Sequence, residues 1–176
     1  MDSPQHLVVM GVAGSGKTTV AGVLAHTLGW PRAEADEFHP RRNVAKMAAG
    51  IPLTDGDRWP WLDALRDWLS RQAATGHSTV VTCSALRRAY RDVLRQATGQ
   101  VRFLHLHGDP HLIAARVTRR RAHFMPAALV ASQFKALEPL HADEVGLTVG
   151  VDSAAEDIAR QVIERWGLAT VPADST

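Results

Sequence analysis

The sequence predicts an α/β fold, a five-stranded parallel sheet with helices on both faces, built as one domain. Three observations carry that expectation. Short apolar runs alternate along the chain with stretches whose apolar residues recur every three or four positions, the pattern of strands and crossover helices. The first apolar run leads straight into a glycine-rich turn that opens a helical stretch. Glycines also stand where helical stretches should end, at Gly29, Gly76 and Gly167, suited to the left-handed conformation that closes a helix.

In chain order, the first strand covers residues 7–10, and the helix after it carries Val20, Val23, Leu24 and Leu28 on one face. A weak second strand lies near residues 33–36. Trp61, Leu62, Leu65, Trp68 and Leu69 mark a helix stopped by Gly76, and their spacing reads as core rather than as a platform for a sugar. Strands follow at 79–83, 101–106 and 147–151, with Arg116, Arg119, Arg120 and Arg121 late in a helix between the last two. Ser153 and Glu156 read as a capping box for the final helix, which runs to Trp166. Residues 1–168 are expected to form a single domain and residues 169–176 a loose tail.

Composition narrows the function by exclusion. With 45% hydrophobic and 22% charged residues the chain is neither disordered nor fibrous. A net charge of +2 gives no general basic surface, and no nucleic-acid partner is expected. Arginine far outnumbers lysine and clusters at Arg41-Arg42, Arg87-Arg88 and Arg119-Arg120-Arg121, which suits phosphate or carboxylate ligands. The single cysteine, Cys83, cannot form an internal disulfide and reads as a small buried hydrophobe. Residues 1–6 contain no basic stretch leading into an apolar run, and no eighteen apolar residues occur in succession; we expect a cytoplasmic protein with no membrane partner. The histidines show no metal-ligand spacing, and His105 with His107 on one strand face does not make a closed site.

Gly11-Val12-Ala13-Gly14-Ser15-Gly16-Lys17-Thr18 fits G-x-x-x-x-G-K-[ST] and lies between a strand and a helix, where its mechanism needs it. The glycines let consecutive N–H groups turn inward on phosphate oxygens, and the helix N-terminus adds its partial positive charge. Lys17 is then the residue to reach the β- and γ-phosphates of ATP, and the Thr18 hydroxyl the one to join Mg2+. This is the three-layer P-loop NTPase fold. A guanine-binding switch is excluded: no N-K-x-D stands on a late strand, and Asp143-Glu144-Val145-Gly146 comes too late to be its D-x-x-G.

After the second strand stands Glu34-Ala35-Asp36-Glu37-Phe38-His39-Pro40-Arg41-Arg42-Asn43. Ligands of parallel sheets gather beyond the carboxyl ends of the strands, which puts Asp36 beside the phosphates, able to take or direct an acceptor's proton; the plainer reading is a turn cap. Further blocks are Lys46 to Leu53, Asp55-Gly56-Asp57-Arg58-Trp59-Pro60-Trp61-Leu62, Cys83 to Arg91, His123-Phe124-Met125 and Ser132 to Pro139. In these blocks, from Leu7 to about Asp157, the chain resembles the gluconate kinase family of thermoresistant type, in the group of shikimate and nucleoside monophosphate kinases.

The resemblance implies ATP-dependent phosphorylation of D-gluconate at its 6-hydroxyl, a homodimer, strand order 2-3-1-4-5 and a helical lid at about residues 119–134. It implies catalytic roles for Lys17, Asp36 and the lid's Arg120. Candidate acceptor ligands are Asp36, His39, Arg42, Arg58, Arg87, His123 and Gln133, with Arg41 and Arg91 further possible partners for a carboxylate. Arg58 sits at a helix start, where a cation is poorly placed for the dipole and so invites an outside partner; pairing with Asp55 or Asp57 is the alternative. Glu34 stands where the family usually has Asp, at a position that orients Mg2+ through water. Ala122 replaces a common glycine, and Arg87 a common lysine. The rival readings are a kinase for another small acceptor, such as a shikimate-like acid or a nucleoside monophosphate, and a nucleotide-binding protein without catalysis.

Overall fold

The computed structural model describes residues 2–119 and 127–173. Its strands β1 (Gln5–Met10), β2 (Arg32–Glu34), β3 (Thr79–Thr82), β4 (Gln100–His107) and β5 (Gly146–Gly150) form one parallel sheet in the order β2-β3-β1-β4-β5, as expected. Alternate residues of β1 serve opposite cores, as the pleat requires. Leu7 and Val9 face α1 (Lys17–Leu28) and α7 (Ala155–Trp166), meeting Val20, Leu24, Ile158 and Val162. Val8 and Met10 face α3 (Asp55–Ala74) and α4 (Arg88–Arg95), meeting Leu62, Leu65, Leu69 and Leu94. Helices α2 (Arg41–Ala48), α5 (Pro110–Arg119) and α6 (Ala127–Ala136) complete the described α-helices. Trp61 is buried in the second core, consistent with the helical spacing that marked it. Among the described residues no helix is long and apolar enough to cross a membrane.

Helix ends follow local chemistry with one correction. Gly29 and Gly167 close α1 and α7 in the left-handed conformation, as the sequence suggested. The capping box expected at Ser153 and Glu156 does not form. The N-cap is Ala154, which makes no side-chain cap, so Ser153 lies one residue too early, and Glu156 and Asp157 serve α7 only as acids in its first turn. A reciprocal capping box forms instead at α3, where Thr54 accepts from the Asp57 N–H and Asp57 accepts from the Thr54 N–H. In the C-terminal segment, the Val171 N–H donates to Thr27 O at 3.0 Å.

Arg91 is fully buried and does not face an acceptor. Its guanidinium donates to both oxygens of Glu144, at 2.7 and 3.0 Å, and to Ala85 O at 2.8 Å, while Arg95 and the His141 N–H also donate to Glu144. Burial alone would push the Glu144 carboxyl up, but the hydrogen bonds from Arg91, His141 and Arg95 hold it down at about 2. Because the folded value lies below the ordinary 4.5, the stabilisation is complete above that pH and is lost as pH falls toward 2. Glu144→Gln should therefore cost about 3–5 kcal/mol at neutral pH, since it leaves a buried arginine without its counter-charge. The gap to the parent protein should close between pH 4.5 and 2. Urea melts across that range check both parts, and a gap that persists at pH 2 refutes the assignment.

Candidate active site

The loop after β1 is built for an anion. Gly14 and Gly16 have φ of 79° and 94°, and a side chain at Gly14 would collide with Val117 Cγ2. Gly16 is the N-cap of α1, without a side-chain cap, and the first turn holds no acid, so its N–H groups keep their demand for an acceptor. Lys17 Nζ donates to Gly11 O and Val12 O, both at 3.0 Å, which curls the ammonium over the loop. Gln133 of α6, a candidate acceptor ligand, meets this loop: its Oε1 accepts from the Ala13 N–H at 2.6 Å.

A cleft of about 280 Å³ opens beside the loop, lined by Ala13, Gly14, Lys17, Thr18, Glu34, Asp36, Thr82, Cys83, Ser84, Val117 and Gln133. Residues of β2 and β3 form its oxygen-rich floor. Glu34 lies opposite Thr82 in the parallel register, and its Oε2 accepts from the hydroxyls of Thr82 and, at 3.4 Å, of Thr18. Glu34 Oε1 is buried without a hydrogen-bond partner among the described residues. Hydroxyl and carboxylate oxygens are the donors Mg2+ takes, and one carboxylate suffices when phosphates and water complete its shell. These residues fit that ion. Thr82 escaped the sequence reading because only the register, set by strand pairing, brings it to Glu34.

Asp36 reaches the cleft from a 3-10 turn, Ala35–Phe38, and not from the strand expected at 33–36. The chain leaves the sheet after Glu34, and the turn is pinned where Trp61 Nε1–H donates to Ala35 O at 2.7 Å. The Asp36 side chain is 95% exposed, so its carboxylate projects into the open cleft. His39 stacks on Trp61 with ring centres 4.3 Å apart, and its Nε2 stands 4.0 Å from Asp36 Oδ1.

The arginines divide. Arg58 donates to Asp55 Oδ1 at 3.2 Å and lies over the Tyr90 ring, while the Tyr90 hydroxyl donates to the same Asp55 oxygen at 2.6 Å. That hydrogen bond from Tyr90, ahead of the Arg58 charge, holds the Asp55 carboxyl below its usual range. The pairing set out above as the alternative to an outside partner is thus present in this state. Arg41, Arg42 and Arg87 are exposed. The loop between β3 and Arg87 carries Ala85 at φ 45°, a conformation L-residues seldom adopt, with its carbonyl held by buried Arg91. Cys83 beneath it is buried, and burial pushes its thiol up to about 12, which leaves it unreactive. Arg120 and His123 lie outside the described residues.

A second cleft, about 200 Å³, adjoins the other side of the loop between Gly14–Gly16 and the start of α7, with Arg116 Nη2 donating to Val151 O at 2.9 Å.

Comparison with known proteins agrees with this geometry. A family model described as an AAA domain matches residues 7–140. The gluconokinase of Gluconobacter oxydans (strain 621H) is 45% identical over 163 residues, covering 93% of this chain and 92% of that protein. The thermoresistant gluconokinase of Escherichia coli (strain K12) is 41% identical over 158 residues, covering 89% and 90%. An unliganded sugar kinase from Janibacter sp. HTCC2649 superposes with a TM-score of 0.89 at 48% identity, covering 94% of this chain and 96% of that one.

Proposed function

The chain belongs to the gluconokinase family, and from that membership we propose that it transfers the γ-phosphoryl group of ATP to the 6-hydroxyl of D-gluconate, giving 6-phospho-D-gluconate and ADP. The observation that carries the reading is one cleft joining an uncapped, glycine-rich helix start to an exposed carboxylate, Asp36. The glycine loop and Lys17 hold the β- and γ-phosphates, and the second cleft takes the nucleoside end. Asp36 takes the proton of the 6-hydroxyl as its oxygen bonds to phosphorus and the bond to the ADP oxygen breaks. Thr18 and Glu34 would hold Mg2+, which when bound would offset the phosphate charge. Arg120 and His123 act from the lid, in keeping with the family pattern. We further read the protein as a cytoplasmic homodimer.

The acceptor's carboxylate is met by arginine. With Arg91 committed to Glu144, the candidates are Arg41, Arg42, Arg58 and Arg87, and Arg58 must exchange Asp55 for the substrate. Its pair is partly solvated, so the exchange costs little. A site that pairs a carboxylate rejects a neutral analogue, whose binding would leave cations unmatched. We expect kcat/KM for gluconate to exceed that for glucose by at least about a hundredfold, close to 3 kcal/mol. Shikimate and AMP should be poorer still than gluconate under the same conditions. Coupled ADP-release assays over the four acceptors test this, and glucose or AMP equal to gluconate overturns the substrate while leaving the kinase.

A further inference from the structure

Asn43 is buried completely, four residues after His39 on the first turn of α2. Its Nδ2 lies 2.9 Å from the Asp57 carbonyl oxygen and 3.2 Å from His39 Nδ1. A carbonyl oxygen can only accept, so the Asn43 atom facing it must be the amide nitrogen; turning the amide over would set two oxygens against each other. The same nitrogen then donates to His39 Nδ1, and an accepting Nδ1 in a neutral ring places the proton on Nε2. The tautomer of His39 is thereby dictated from the backbone of α3. Asn43 Oδ1 is left buried without a partner among the described residues, which marks this orientation as one that the two donated bonds must hold.

The Nε2 that carries this proton stands 4.0 Å from Asp36 Oδ1. That separation is too long for a hydrogen bond between them. It is the right separation for one oxygen to sit between. An oxygen about 2.8 Å from each atom would see them roughly 90° apart, an acceptable angle between a lone pair and an O–H. A hydroxyl meets both needs, accepting from His39 and donating to Asp36. A carboxylate has no proton for Asp36, and an ammonium has no lone pair for His39.

We propose that His39, fixed as the neutral Nε2–H tautomer by Asn43, forms with Asp36 a donor–acceptor clamp that seats one hydroxyl of the acceptor. The clamp rests on the reading of this cleft as a sugar-acid kinase site, and it deepens that reading by assigning His39 a polarity. Burial lowers the His39 pKa, and the Arg58 charge lowers it further against the opposing pull of Asp36, which favours the neutral ring. Stacking on Trp61, itself tied to Ala35 O, keeps the imidazole aligned with the turn that carries Asp36.

Two measurements decide it. Imidazole 15N NMR of the whole protein at neutral pH, without acceptor, should show His39 protonated on Nε2 and bare on Nδ1. The reverse tautomer or an imidazolium overturns the proposal, whatever the acceptor proves to be. His39→Gln presents an amide near the Nε2 position, whereas His39→Asn presents one near Nδ1. With gluconate, His39→Gln should retain at least about tenfold more kcat/KM than His39→Asn, with ATP affinity equal in the two. A purely structural role would penalise both variants alike, and equal losses, or no loss in either, refute the clamp. If the parent enzyme ignores gluconate, the substrate reading fails separately, and the NMR result still stands or falls alone.

Discussion

Lys17→Ala should fold as the parent does and lose phosphoryl transfer by about a thousandfold or more in kcat/KM. The ammonium is held over the loop by the Gly11 and Val12 carbonyls, in the cleft that we propose receives the transferring phosphate and its negative charge. Positioned positive charge in such a cleft acts mainly on the transition state, where single donors are worth about a hundred- to a thousandfold, and Lys17 adds a full charge to a hydrogen bond. The fold has little stake in it: Lys17 is the first residue of α1, at the rim of the cleft, and alanine is the best helix former. Circular dichroism and a thermal melt check folding, and an ADP-release assay with gluconate reads the loss. A folded variant with near-normal kcat would remove ATP from this loop.

The β1–loop–α1 unit was legible because everything it needs is local: an apolar run, glycines at fixed offsets, then Lys17 and Thr18 within eight residues. The sheet followed from apolar runs whose faces are buried on both sides. What stayed hidden depends on partners far along the chain. Arg91 looked like a carboxylate ligand because its sequence neighbours are other arginines, yet Glu144, 53 residues on, neutralises it. Asp36 was placed on a strand because nothing nearby announces that Trp61, 26 residues beyond Ala35, bonds Ala35 O where the strand has ended. Gln133 comes to the P-loop across 120 residues. The Ser153 error is of another kind, a local signal shifted by one residue, where Ala154 takes the cap. Thr82 stands in no quoted block, and Asn43 closes the block that begins at Glu34 without a role of its own; their meaning comes from the Glu34 register and the Asp57 carbonyl.

Asp36→Asn is the companion substitution, and we expect ATP affinity to be unchanged while kcat for gluconate falls by about a hundred- to ten-thousandfold, the range of a lost general base. The side chain is 95% exposed on a turn held by Trp61, so replacing its carboxylate with an amide of the same size disturbs neither packing nor the loop. What changes is chemistry at one atom. The amide oxygen is too weak a base to take the hydroxyl proton, and an amide nitrogen in its place would oppose the His39 Nε2–H rather than complement it. The loss should therefore lie in kcat, with a smaller change in KM for gluconate, because the acceptor's arginines remain. Single-turnover measurements with saturating ATP isolate the chemical step from product release. A fall of less than tenfold, under about 1.4 kcal/mol in the barrier, would mean that the proton leaves by another route and that Asp36 only helps to hold the acceptor.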